Sequence, residues 1–193
     1  MNSDKINSNN IFYPPGGILI WIIIFLEIIT FGMATVAMKV TGNHNTELFH
    51  NSKLLLNITL GSINTIVLLS SGFFMANALR LFKLNQLRKS SHSILLAIVM
   101  GAAFIIFKAF EYANKLEHGL TMDYNVFFTF YWLLTGFHVI HVILGMAILI
   151  YFYISLLQKT VTIELENFEA GAAFWHLCDL IWLIIFPVIY LIF

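Results

Sequence analysis

Charge is what this chain has least of, and the shortage excludes most soluble folds. Only 10% of its 193 residues are Asp, Glu, Lys or Arg, against roughly 25% in ordinary soluble domains. Between 124 and 157 there is none at all. The ten acidic and ten basic residues cancel, so no positive field exists to hold nucleic acid. The single cysteine, Cys178, leaves no internal disulfide and no paired-cysteine metal centre. Proline is nearly missing too: Pro14 and Pro15 precede the first apolar run, and Pro187 falls inside the last. Internal repeats and low-complexity tracts are absent.

What fills the space is apolar. The chain is 60% hydrophobic and 16% aromatic, with a mean hydropathy of +0.86. A helix needs about 20 apolar residues to cross a bilayer core, and five runs are long enough: 17–40, 54–79, 93–114, 126–156 and 170–193. The expected architecture is all-α, a single membrane domain of five transmembrane helices over 1–193. Residues 1–10 are polar and lack a basic n-region, so they read as a tail before a retained helix and not as a cleaved signal. Pro14-Pro15-Gly16-Gly17 marks the first helix start, and Pro187 is expected to kink the last.

Basic residues set the expected direction. Arg80, Lys83, Arg88 and Lys89 fall between the second and third helices, on the side of Lys5 and Lys159. Lys39, Lys53 and Lys115 fall on the other. The N-terminus is therefore expected in the cytoplasm and the C-terminus outside. Residues 160–169, with Glu164, Glu166 and Glu169, read as a short acidic cytoplasmic loop.

Polar groups at membrane depth are costly unless they face protein or water, so each is a candidate functional or packing position. In the fourth run Tyr131, Thr135, His138, Val142 and Gly145 share one helical stripe, with His141 on its flank. Small residues there admit a neighbouring helix, and the histidines can hydrogen-bond across the contact. Packing is the favoured reading. Haem or metal ligation is the sharper one, but two histidines three apart cannot take opposite faces of one haem iron, and only His176 offers a second ligand at depth. In the fifth run Trp175, Asp179, Trp182 and Phe186 share a stripe, with His176 one turn before Asp179. The favoured reading is a polar clasp to the fourth helix, Asp179 pairing with a histidine; proton handling is the alternative. Glu27 lies roughly 15 Å into the first helix with no basic neighbour in sequence. It is open to three roles: a lipid or partner contact, a proton-relay member, or a polar knob between helices. Lys108 and Glu111, three apart, are expected to pair near the outer surface, Lys108 snorkelling to it.

Taken together these residues resemble the haem–copper oxidase subunit III family. Thr135-Gly136-Phe137-His138-x-x-His141-Val142-x-x-Gly145 is similar to its signature helix. Trp175-His176-x-x-Asp179-x-x-Trp182, followed by Tyr190, is similar to its C-terminal helix. Glu27 falls where the family carries a membrane-embedded carboxylate, and Glu111-Tyr112 resembles the Glu-Tyr pair before the signature helix. Val139 departs from the glycine many members carry there. The length matches the short five-helix form.

The resemblance implies an accessory subunit of a proton-translocating cytochrome c oxidase in a bacterial inner membrane. Such a subunit has no catalytic residue, metal, haem or copper of its own; haem and copper belong to partner subunits I and II. It packs on the catalytic subunit, holds structural phospholipids and supports proton uptake coupled to O2 reduction. Glu27 would be the proton- or lipid-linked carboxylate. Glu111, Tyr112, Thr135, Gly136, His138, His141, Gly145, Trp175, His176, Asp179 and Trp182 would be packing positions. A partner of nitric oxide reductase or of a quinol oxidase is the alternative within the family. A small membrane transporter is the alternative outside it, and the lack of inverted repeats fits that poorly.

Overall fold

The computed structural model describes residues 14–158 and 163–193. Among them are six helices and no strand: α1 Ile18–His44, α2 Thr46–Leu54, α3 Ile58–Lys83, α4 Leu87–Glu117, α5 Val126–Gln158 and α6 Leu165–Tyr190. All but α2 are long and apolar enough to cross a membrane.

Local chemistry explains where the helices begin and end. Gly16 and Gly17 take positive φ, 78° and 85°, conformations that cost little without a Cβ. A side chain at Gly16 would also strike the backbone of Ala170, so this turn fastens the start of α1 to α6. Asn57 Oδ1 accepts from Leu60 N–H at 3.0 Å and caps α3. Asn125 does the same for α5, accepting from Phe128 N–H at 3.0 Å, while its amide donates to Ser52 Oγ of α2 at 2.9 Å. Such caps satisfy backbone donors that have no partner within the helix.

Two connections differ from the sequence expectation. The basic residues Arg80, Lys83, Arg88 and Lys89 are helical, not looped. Only 84–86 link α3 to α4, with Asn85 in the left-handed region at φ 57°. The acidic segment is mostly the start of α6: Glu166 and Glu169 lie in its first turns, and Glu169 binds Lys83 of α3 at 2.6 Å. Lys5, Lys159 and 160–162 lie outside the described residues. The helix α2 has no counterpart among the expected runs because it is too short and polar to read as a span; its Phe49 is nonetheless fully buried.

Within the bundle α6 is central. It packs on α1, α3 and α5, while α4 lies between α3 and α5. Half of the α6 membrane window is buried, against 17% for α1, which makes α1 the peripheral helix. The core is aromatic: Phe104, Phe127, Phe128, Tyr131, Trp175, Trp182 and Tyr190 are all fully enclosed. Pro187 does not end α6, which continues to Tyr190.

Candidate functional site

Two carboxylates stand out, and the helices place them in opposite settings. Glu27 on α1 reaches across to α5, its Oε1 3.4 Å from His141 Nε2. The other ring nitrogen, Nδ1, lies 2.8 Å from the Phe137 carbonyl. Both side chains border a cleft of about 380 Å³ between α1 and α5, otherwise lined by Thr30, Phe31, Ala34, Phe130, Leu133, Leu134 and Phe137. Phe31 meets the His141 ring edge-on at 5.6 Å. The partner that Glu27 lacks in sequence is thus a histidine from another helix, and an apolar groove passes directly over the pair.

Glu111 is enclosed instead. Its Oε2 accepts from Lys108 Nζ at 3.1 Å, and its Oε1 accepts from the Tyr131 and Tyr190 hydroxyls at 2.8 and 2.5 Å. The Tyr190 oxygen also accepts from Lys108 Nζ at 3.1 Å. The ammonium lies within 5.0–5.7 Å of the ring centres of Tyr112, Tyr131, Trp182 and Tyr190, a cage that offers cation–π attraction. Lys108 therefore does not snorkel. Its side chain is 1% exposed, because the carboxylate and the four rings together solvate it better than a route to the surface would. Beside this cluster Tyr112 O–H donates to Thr135 Oγ1 at 2.9 Å, and Thr135 O–H donates to the Tyr131 carbonyl at 2.6 Å.

The stripe on α5 is buried as its spacing predicts: Tyr131, Thr135, His138, Val142 and Gly145 all face the core. Its two histidines part ways. His138 is fully buried and stacks on Trp182 at 5.2 Å, with Phe104 edge-on at 5.6 Å. Neither of its ring nitrogens has a hydrogen bond among the described residues. Trp182 in turn donates to Thr65 Oγ1 of α3 at 2.8 Å. Trp175 fills the notch between two glycines. A Cβ on Gly145 would lie 2.7 Å from Trp175 Cε3, and one on Gly101 would lie 2.8 Å from Trp175 Cη2. Gly136, in the same motif as Gly145, meets nothing within 4 Å and opens outward beside Trp132 and Phe137.

Asp179 corrects the expected clasp. Its partner is His176 of its own helix, Nδ1 to Oδ2 at 3.4 Å, not a histidine of α5. The element it touches is α3, where Gly72 leaves room for the carboxylate. Sequence reasoning passed over the polar pair Asn64 and Thr65, both buried in α3; their signal was their polarity inside an otherwise apolar run. It named Tyr131 and Tyr190 without joining them to Glu111, because residues 20 and 79 positions away meet only in the fold. No group of three or more potential metal-ligating side chains forms among the described residues.

These features define a multi-pass α-helical membrane protein with an enclosed polar cluster around Glu111. Residues 17–192 match the family model for cytochrome c oxidase subunit III, and the chain belongs to that family. It is 31% identical over 129 residues to cytochrome c oxidase subunit 3 of Spodoptera frugiperda, covering 66% of this chain and 86% of that one. It is 33% identical over 133 residues to the Schizophyllum commune protein of the same name, covering 68% of this chain and 48% of that one. It is also 27% identical over 179 residues, 89% of this chain, to a heme-copper oxidase subunit I+III of Aeropyrum pernix. The chain spans 22% of that last relative's length.

Proposed function

We propose that this chain is the accessory, non-redox subunit of a membrane-bound haem–copper oxidase of the cytochrome c oxidase type. It packs on the catalytic subunit, beside a copper-containing subunit, with haem and copper held by those partners. The observation that carries the reading is the family match over 17–192. The geometry adds a division of labour. The Glu111 cluster ties α4, α5 and α6 together, while the α1–α5 cleft stays open at Glu27 and His141. The aromatic and aliphatic walls of that cleft suit phospholipid acyl chains, and the Glu27–His141 pair gives it a group able to hold or pass a proton. Thr135, Trp175 and Trp182 act as packing groups; none of the motif residues is catalytic. The cations Arg80, Lys83, Arg88 and Lys89 gather at the end of the bundle where α1 begins, which by the positive-inside rule supports a cytoplasmic N-terminus in a bacterial inner membrane.

Affinity purification of the tagged chain from its native membranes in mild detergent tests the proposal. The expected result is co-elution with an a-type haem protein and a copper protein, together with O2 consumption and retained phospholipid. Co-elution with b- and c-type haem proteins that reduce nitric oxide would move the chain to the other branch of the family. Elution alone would overturn the accessory-subunit reading.

A further inference from the structure

His176 sits where a histidine is hardest to accommodate. It lies near the midpoint of α6 (Leu165–Tyr190), hence near the centre of the hydrocarbon layer, yet 44% of its side chain is exposed. Leu180 and Leu183, 42% and 45% exposed, continue the same stripe one and two turns on. The other faces of α6 pack on α1, α3 and α5. Two outward leucines are satisfied by lipid. An outward imidazole at that depth is not, because hydrocarbon offers no hydrogen bond.

The ring is also aimed. Nδ1 lies 3.4 Å from Asp179 Oδ2, and Asp179 is itself held against Gly72 of α3. A buried carboxylate against one ring nitrogen holds the orientation of the imidazole, as it does around metal sites. Nε2, across the ring from Asp179, is left for a partner outside the chain. Asp179 Oδ1 is enclosed and has no hydrogen bond among the described residues. The outer face of the ring therefore presents a polar nitrogen at a depth that lipid headgroups do not reach. The missing occupant has to carry a polar group at that depth.

We infer that the stripe of His176, Leu180 and Leu183 is the seam for a transmembrane helix of the catalytic partner, and that this helix brings a hydroxyl or amide group to His176 Nε2. The inference rests on the accessory-subunit reading above. In it Asp179 is a positioning residue, which acts on the partner only through the orientation of His176.

The test uses the whole chain in its native membranes. A benzophenone amino acid replaces Leu180, and in a separate variant Phe25, which is 59% exposed on α1. Irradiation is expected to join the position-180 variant covalently to the haem-bearing chain. In mild-detergent purification His176→Leu is expected to retain about threefold less of that chain, the worth of one interhelical hydrogen bond in a membrane. His176→Gln keeps a hydrogen-bonding group and is expected to retain nearly the unmodified amount. Adducts at position 180 with lipid alone, with a second copy, or at position 25 instead would overturn the seam, as would unchanged retention in His176→Leu. If the unmodified chain brings down no haem-bearing protein, the accessory-subunit reading itself fails and the seam falls with it.

Discussion

Glu111 accepts hydrogen bonds from a lysine and two tyrosines and is 4% exposed. Glu27, also in a membrane helix, has one partner at 3.4 Å and a side chain 28% exposed. The difference shows that one bundle holds two intramembrane carboxylates in opposite ways. A carboxylate that ties helices together is saturated, because any open valence would cost several kcal/mol in a medium that cannot hydrogen-bond. A carboxylate with part of its capacity free has room for a further partner where it borders a cleft. Glu27 borders one and Glu111 does not.

Removing the saturated carboxylate should have the largest effect. Glu111→Ala leaves the Lys108 ammonium and the hydroxyls of Tyr131 and Tyr190 stranded, and breaking a buried pair from one side costs about 3–5 kcal/mol. The expected outcome, read by thermal unfolding in detergent, is a marginal or unfolded bundle. The double variant Lys108→Met/Glu111→Gln sharpens the point. It removes both charges while keeping a carbonyl for the tyrosines, so it should recover most of the lost stability. A double variant no more stable than Glu111→Ala would show that the ionic pair itself holds the bundle.

Next come the two glycines of one motif, which the structure separates. Gly145→Val drives a side chain into Trp175, which cannot retreat because Gly101 receives its far edge; overpacking of this kind costs about 1–3 kcal/mol. Gly136→Ala meets open space and should gain about 0.5–1 kcal/mol from helix propensity in the isolated chain. Equal effects at the two positions would contradict the packing described. Loss of partner retention in Gly136→Ala with the bundle intact would place another protein on that face.

Much of this was legible in the sequence, and the parts that were not have a common cause. The α5 stripe could be read because helical periodicity is local: residues three and four apart share a face. The absence of charge from 124 to 157 made the span plain. The pairings could not be read, since Glu27 finds His141 and Glu111 finds Tyr190 only after helices far apart in the chain are brought together. Lys108 was misplaced for a related reason. Snorkelling is the sound expectation for a lysine near a helix end, and only the cage of four rings from α4, α5 and α6 overrides it. The helix α2 was missed because its one buried aromatic, Phe49, is too little to announce a helix by periodicity.

A smaller effect is expected where α3 meets the aromatic core. Trp182→Phe keeps a ring beside His138 and Phe104 but loses the bond to Thr65. Thr65 O–H also donates to the Gly61 carbonyl at 2.8 Å, so the loss strands no buried donor. The cost should be that of one ordinary hydrogen bond, about 0.5–1.5 kcal/mol, together with the space that the smaller ring leaves in the core. Thermal unfolding beside Thr65→Val checks it: the double variant should cost less than the sum of the singles.

Glu27 should give the smallest change in stability and the clearest change elsewhere. Its link to His141 is a single long contact between two membrane helices, and interhelical polar contacts of that kind contribute about 0.6 kcal/mol on average. Glu27→Gln keeps the shape and an acceptor toward His141, so the melting temperature should stay within a few degrees of the unmodified chain. The cleft it borders should nonetheless change occupancy. Mass spectrometry of the purified complex is expected to find fewer retained phospholipids, and turnover of the complex should decline over successive cycles more than in its first. A variant that unfolds like Glu111→Ala would erase the distinction between the two carboxylates. One that matches the unmodified complex in lipid content and in sustained turnover would leave Glu27 a plain contact between α1 and α5.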